Sequence, residues 1–435
     1  MSEYKKKNVL ILSTNDTNGA GDAMVKISEI LTSMSYNVCM VVKHKTSTHD
    51  FVKPYKNTRI LEVLLSRFIN RIKDKVPLLR VKSVLKTDHK YLFLSSDESR
   101  KNIDVNNFFN DIEFVPDFIF VGLIFGFLNT TDVKNIALKS CAKVFNITVD
   151  MNHFTGGCHY AWDCRGYEDT CENCPAIIDR RLKYIASRNL KIKQHNAKLA
   201  DFNIVAGSGL TLLQAKKSQI YKHQLTIENL NSVIDTDIMN DRTREEARKI
   251  FKFDENKFYI LCGAYYVNDE RKGFKYLYEA LNKLHHLLDE HNKERVVLLV
   301  VSKFKDESVF SDLKFERAFI PFIKDYRLLS LLYQASNLFV NTSIEDSGPM
   351  MVSEALACGT PVVGFDTGIL VNMVVNAKNG FKVPVKDTSA LAESIYKIIQ
   401  LRKEEYKEYS NYAVQMVEKY SSFEYAKKIF NKILA

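Results

Sequence analysis

Residues 341–365, NTSIEDSGPMMVSEALACGTPVVGF, read as strand, tight turn, helix and strand in a single line. A short apolar run, Leu338-Phe339-Val340, ends at polar Asn341 and Thr342, and Gly348-Pro349 then breaks the chain. Beyond it Met351, Val352, Ala355 and Leu356 recur at helical spacing until Gly359-Thr360-Pro361 stops the helix ahead of Val362-Val363-Gly364-Phe365. A helix entered through Gly-Pro turns unpaired backbone N–H groups, and the positive end of its dipole, toward the crevice above a parallel sheet. Phosphate sits well in such a place. Ser347, Gly348, Pro349, Met350 and Met351 would line the anion. Asp346 before the helix and Glu354 inside it supply carboxylates that accept hydrogen bonds from sugar hydroxyls. The stretch suits a sugar attached to a diphosphate.

Outward from that stretch, the 435 residues allow two α/β domains with cores of ordinary size, and the 46% apolar and 26% charged fractions are those of a soluble globular protein. No apolar run approaches the roughly 18 residues of a membrane span, and Lys-rich Met1–Lys7 leads straight into a strand-like run, so a cytoplasmic protein is expected. The net charge of +10 fits a phosphate-bearing ligand or an anionic membrane. No nucleic-acid-binding module is recognisable.

The chain opens with a buried strand, KNVLILS from Lys7 to Ser13, then the loop Asn15–Asp22 with Gly19 and Gly21, a helix from Ala23 to Met34 and a strand from Val38 to Val42. That order begins a doubly wound domain. As a dinucleotide fingerprint Gly19-x-Gly21 lacks its third glycine, and a tight turn explains it equally well. From Arg59 to Lys86, Leu61, Leu64, Leu65, Phe68, Ile69 and Ile72 fall at helical spacing among Arg67, Arg71, Lys73 and Lys75. Residues 59–86 are therefore read either as an amphipathic stretch for an anionic membrane surface or as a surface helix packed on its own domain. Cys158, Cys164, Cys171 and Cys174, ending in C-x-x-C, suit either a tetrahedral thiolate site for structural zinc or four free thiols. In the second half a strand from Phe258 to Cys262 leads to Arg271-Lys272-Gly273 just before a helix, where two cations would meet a leaving diphosphate.

The opening stretch resembles the carboxy-terminal signature of the retaining GT-B glycosyltransferases of family GT4, in which two acidic residues eight apart precede Ala-Cys-Gly-Thr-Pro-Val-Val. Asp346 and Glu354 meet that spacing, with aspartate standing where glutamate is usual. Asp150-Met151, Thr155-Gly156-Gly157-Cys158 and Cys171-x-x-Cys174-Pro175 resemble a bacterial branch of that family associated with surface-polysaccharide assembly. Two histidines of that branch are replaced here, by Val149 and Gly122, and the arginine usual after Gly263 is absent. The resemblance implies a GT-B fold of two doubly wound Rossmann-like α/β domains facing across a cleft. An acceptor-side domain would span 1–230 and a nucleotide-sugar-binding domain 231–408, the last helix (about 409–435) packing back on the first.

It further implies a retaining glycosyltransferase that moves a sugar from a nucleotide-sugar donor to a saccharide or lipid-linked saccharide acceptor in surface-polysaccharide synthesis. Work on lipid-linked acceptors would place the protein peripherally on the inner face of the plasma membrane. Asp346, Lys272, Arg271 and Asp150 would be the catalytic residues, and Glu354 would hold the ribose. The segment from Ser347 to Met351, with Gly19 and Gly21, would complete the donor side, and no metal or other cofactor would be needed for catalysis. The alternatives are a catalytically silent nucleotide-sugar-binding protein and a nucleotide-sugar epimerase.

Overall fold

A computed structural model describes residues 6–55, 85–95, 97–224, 226–303 and 308–435. Residues 59–84 of the basic amphipathic stretch lie outside the described residues. By internal contacts the chain divides into two units, Met1–Val205 with Gln214–Ile227, and Ala206–Leu213 with Glu228–Ala435.

The first sheet contains β1 (Asn8–Asn15), β2 (Asn37–His44), β3 (Val52–Pro54), β4 (Phe118–Val121), β5 (Lys143–Thr148), β6 (Phe202–Ala206) and β7 (Ile227–Asn229). Their order is β3-β2-β1-β4-β5-β6-β7. The order reverses between β1 and β4, both parallel to one another, and ligands of open α/β sheets bind above the carboxyl ends of strands at such a point. The Asn15–Asp22 loop leaves β1 there, and the helix Ala20–Ser33 follows, a few residues earlier than periodicity places it. Ile227–Asn229, within a polar, turn-rich stretch, adds the seventh strand. Its three residues are too few to show alternation.

The second sheet contains β8 (Phe258–Ala264), β9 (Val296–Ser302), β10 (Glu316–Pro321), β11 (Leu338–Asn341), β12 (Val362–Phe365) and β13 (Gly380–Val383). The order β10-β9-β8-β11-β12-β13 is parallel at every pairing and reverses between β8 and β11. Continuous apolar runs such as VVLLVVS in β9, buried at every residue, are what helices on both faces of a parallel sheet require. The helix Phe274–Leu287 shows the complementary pattern, burying Phe274, Leu277, Ala280, Leu281 and Leu284 as one stripe. Two final helices, Lys403–Tyr420 and Phe423–Leu434, belong to the second unit. Ile234 N–H donates to the Ser421 carbonyl at 2.7 Å, and the Tyr425 hydroxyl to the Asn229 carbonyl at 2.8 Å. Among the described residues no helix is long and apolar enough to cross a membrane.

Candidate active site

The chemistry of the second unit gathers where β8 and β11 end. From β11 the chain runs through the loop 342–349 into the helix Met350–Ala357, whose cap Pro349 makes no side-chain hydrogen bond to it. From β8 it runs through 265–269 into the short turn Glu270–Lys272 and then Gly273. The two loops are laced together. Ile344 N–H donates to the Arg271 carbonyl at 2.7 Å, and the Thr342 hydroxyl to the Lys272 carbonyl at 3.0 Å. Gly273 makes the lacing possible: its φ is +65°, and a Cβ there would stand 2.1 Å from the Thr342 carbonyl oxygen.

This geometry brings Lys272 to Asp346, Nζ to Oδ2 at 2.5 Å, while the Gly348 N–H donates to Asp346 Oδ1 at 3.2 Å. Burial alone would raise the Asp346 carboxyl; the Lys272 ammonium and the Gly348 amide outweigh it and hold the group below its usual range. Arg271 pairs with Asp269, at 2.5 Å, rather than standing as an uncommitted charge. The two cations expected at the donor phosphates are thus present in one place, each with a carboxylate beside it. Ser347, Gly348, Pro349, Met350 and Met351 form the turn into the uncapped helix end.

Glu354 is brought to the same helix but buried in its inner face, where the Tyr333 hydroxyl donates to Oε2 at 3.0 Å. Tyr333 is itself fully buried, in the helix Tyr326–Ala335. Replacing it by phenylalanine removes a donor from a buried carboxylate, a loss that costs about 1–3 kcal/mol. Tyr333→Phe is therefore expected to lower the urea midpoint with an unchanged m-value, and an unaltered midpoint would contradict it.

Asp150 lies in the first unit, just past β5, and is not among these groups. Its Oδ2 meets His159 Nδ1 at 2.6 Å and its Oδ1 accepts from Asn152 N–H at 2.7 Å. Burial opposes ionisation here too, and His159 outweighs it, so the carboxyl lies below its usual range. Lys193 Nζ donates to the Asn152 carbonyl at 2.7 Å and stands 3.6 Å from Glu98, extending one buried polar chain. His159 stands between Cys158 and Cys164 in the sequence, and only the fold shows it as the partner of Asp150.

Gly122 stands beside His153, which is buried and hydrogen-bonded to the Gly122 backbone. The space a side chain at 122 would need is filled by Met24, whose Cγ and Sδ would lie 2.6 and 2.8 Å from a Cβ. Burial first, then the charges of Lys193 and His159, push the His153 imidazole down to about 4. An unfolded chain takes up that proton near pH 6.5, and the folded chain resists it until about 4. Stability therefore falls as pH drops from 6.5 toward 4, by about 2–3 kcal/mol from this group. Urea unfolding at pH 7 and 4.5 should show the slope in the wild type and a flatter one in His153→Gln.

Gly19 and Gly21 shape the first-unit loop. The Gly19 N–H is taken by Asp22 Oδ2 at 3.0 Å, and a Cβ on Gly21 would stand 2.9 Å from the Asn15 carbonyl oxygen. Gly21 serves close packing of the turn, Gly19 takes a left-handed φ of +59° with open space about its Cβ position, and both lie in a different unit from Asp346 and Lys272.

Structural zinc is not supported. Cys158, Cys164, Cys171 and Cys174 do line one pocket, with Tyr91, Phe93 and Tyr167. Yet among the described residues no three His, Cys, Asp or Glu side chains are placed to hold a metal ion. All four are free thiols, and burial pushes Cys158 and Cys174 up and Cys171 up to about 12. Protonated thiols of this kind pack as small apolar groups.

A search of curated proteins finds no match to this sequence. Among solved structures the chain is similar to a sucrose-phosphate synthase (tll1590) from Thermosynechococcus elongatus, with a TM-score of 0.63, 14% identity and coverage of 99% of this chain and 98% of that one. It is similar to a glycosyltransferase from Rickettsia africae ESF-5, with a TM-score of 0.62, 16% identity and 99% of both chains covered. It is also similar to Anabaena Alr3699/HepE in complex with UDP-glucose, with a TM-score of 0.60, 13% identity, 98% of this chain and 99% of that one covered. Identities this low speak to the fold alone. The architecture of two parallel-sheet α/β domains is that of GT-B glycosyltransferase structures, and residues 243–416, which carry the laced loops and the uncapped helix, match the family model for Glycosyl transferases group 1.

Proposed function

We propose that this chain transfers a sugar from a nucleoside-diphosphate donor to a saccharide or lipid-linked saccharide acceptor, with retention of anomeric configuration, in surface-polysaccharide synthesis. The observation that carries the reading is the pairing of Lys272 with Asp346 beside the uncapped end of the helix Met350–Ala357, at the point where the second sheet reverses. As the glycosidic bond breaks, negative charge collects on the departing diphosphate, and lysine, arginine and helix amides already fixed in place stabilise it there. Asp346 positions Lys272 and meets the donor sugar; Glu354, held by Tyr333, takes the ribose hydroxyls. Departure and attack on one face of the sugar, through a short-lived ion pair, retain the configuration. Asp150 acts on the acceptor side by orienting His159. These cations take the role a divalent metal plays in other transferases. The work is done in the cytoplasm at the inner face of the membrane, where lipid-linked acceptors lie.

The test is an assay of the purified chain with UDP-, GDP- and ADP-sugars and an extracted lipid-linked saccharide, with and without EDTA. Release of the nucleoside diphosphate, a lengthened acceptor and the donor's own anomeric configuration by NMR are expected, at a rate EDTA leaves unchanged. A free sugar formed without acceptor would identify an epimerase. Donor binding without any turnover would identify a silent binding protein.

A further inference from the structure

The two cations at the proposed donor site are each matched by a carboxylate, Lys272 by Asp346 and Arg271 by Asp269. A diphosphate ester brings negative charge that such a balanced set does not offset, and bond cleavage brings more. A third cation stands on the next strand. β8 and β9 run in register, with Gly263 beside Val301 and Ala264 beside Ser302. The next pair outward is Tyr265 and Lys303, joined by Lys303 N–H donating to the Tyr265 carbonyl at 3.3 Å.

Both side chains are exposed, yet neither is loose. The Lys303 ammonium hydrogen-bonds the Tyr265 hydroxyl and lies 4.6 Å from the centre of its ring. Tyr265 is braced edge-on by Tyr266 at 4.8 Å and by Phe322 at 5.7 Å between ring centres. This edge adjoins the helix end. A Cβ on Gly263 would meet Met351 Cε at 2.7 Å and the Val301 carbonyl oxygen at 3.0 Å, so the first turn of Met350–Ala357 rests on the ends of β8 and β9. Tyr265 and Lys303 are two residues further along those same strands, within the compass of a four-carbon lysine stem. An exposed contact with an aromatic face is weak and is readily exchanged for a phosphate oxygen.

We propose that Lys303, held ready by Tyr265, is a third diphosphate-binding cation of the donor site. The inference rests on the proposed function. Calorimetric titration of the full chain with UDP, GDP and ADP, and with the matching monophosphates, tests it. Taking the diphosphate that binds the wild type best, Lys303→Met should weaken it about 10-fold, as expected for losing a charged hydrogen bond. The monophosphate should lose less than about 2-fold, Lys303→Arg should recover most of the affinity, and Tyr265→Phe should fall between. Equal diphosphate affinity in the wild type and Lys303→Met overturns this inference and leaves the proposed function standing. An equal loss for monophosphate and diphosphate also overturns it, since the contact would then lie elsewhere on the nucleotide. A wild type that binds none of the three diphosphates overturns both.

Discussion

Lys272→Met is expected to lower sugar transfer by about 10²–10³-fold, the range seen when a fixed donor to developing charge is removed. The same change should disturb folding in a characteristic way. In the wild type the depressed Asp346 carboxyl contributes stability that is present above its unfolded value and is lost as pH falls through the lower, folded one. Without Lys272 the largest remaining influence on Asp346 is burial, which raises it. The sign reverses: the variant is then penalised at neutral pH, by about 1–3 kcal/mol for a pair still partly reached by solvent, and the penalty fades on acidification. The double variant Lys272→Met/Asp346→Asn should recover the stability and none of the activity. Urea titration at pH 7 and pH 4, alongside the transfer assay, checks both halves. If the double variant transfers sugar at the wild-type rate, the role given to Lys272 is wrong.

Gly273→Ala should be the most damaging of the small substitutions. Alanine in the left-handed region costs about 1–2 kcal/mol, and its methyl would collide with the Thr342 carbonyl oxygen, 2.1 Å from the Cβ position. That atom belongs to backbone at the end of β11 and cannot swing aside as a side-chain tip would. Forcing the loops apart adds about 1–3 kcal/mol. Thr342, Ile344, Lys272 and Arg271 share the lacing, so the activity loss should approach that of Lys272→Met even in molecules that remain folded. A variant with wild-type unfolding midpoint and rate would show that the lacing is dispensable.

The fold was legible because its strands are apolar runs bounded by glycine and proline, and the helix at Met350 announced itself by Gly348-Pro349 on one side and Gly359-Thr360-Pro361 on the other. Asp346, Lys272 and Arg271 were legible as types in the right loops. Their partners were not. Nothing in the spacing of Tyr333 and Glu354, or of Lys272 and Asp346, 74 residues apart, encodes a hydrogen bond; packing of two helices creates the first pair, and the parallel sheet creates the second by bringing strand ends together. The cysteine block left zinc and free thiols both open for the opposite reason. C-x-x-C is a local pattern, while metal binding depends on where sulfur atoms end up, and four thiols lining one pocket do not thereby form a metal-holding set. Tyr265 and Lys303 left no trace because their pairing exists only across two neighbouring strands.

Met24 has one more implication, for any enlargement of residue 122. A side chain there would overlap the Met24 Cγ and Sδ, so it fits only if that unbranched, adaptable chain moves aside. Gly122→His is therefore expected to be tolerated better beside a smaller residue at 24 than beside methionine, because the space one side chain gives up is what the other takes.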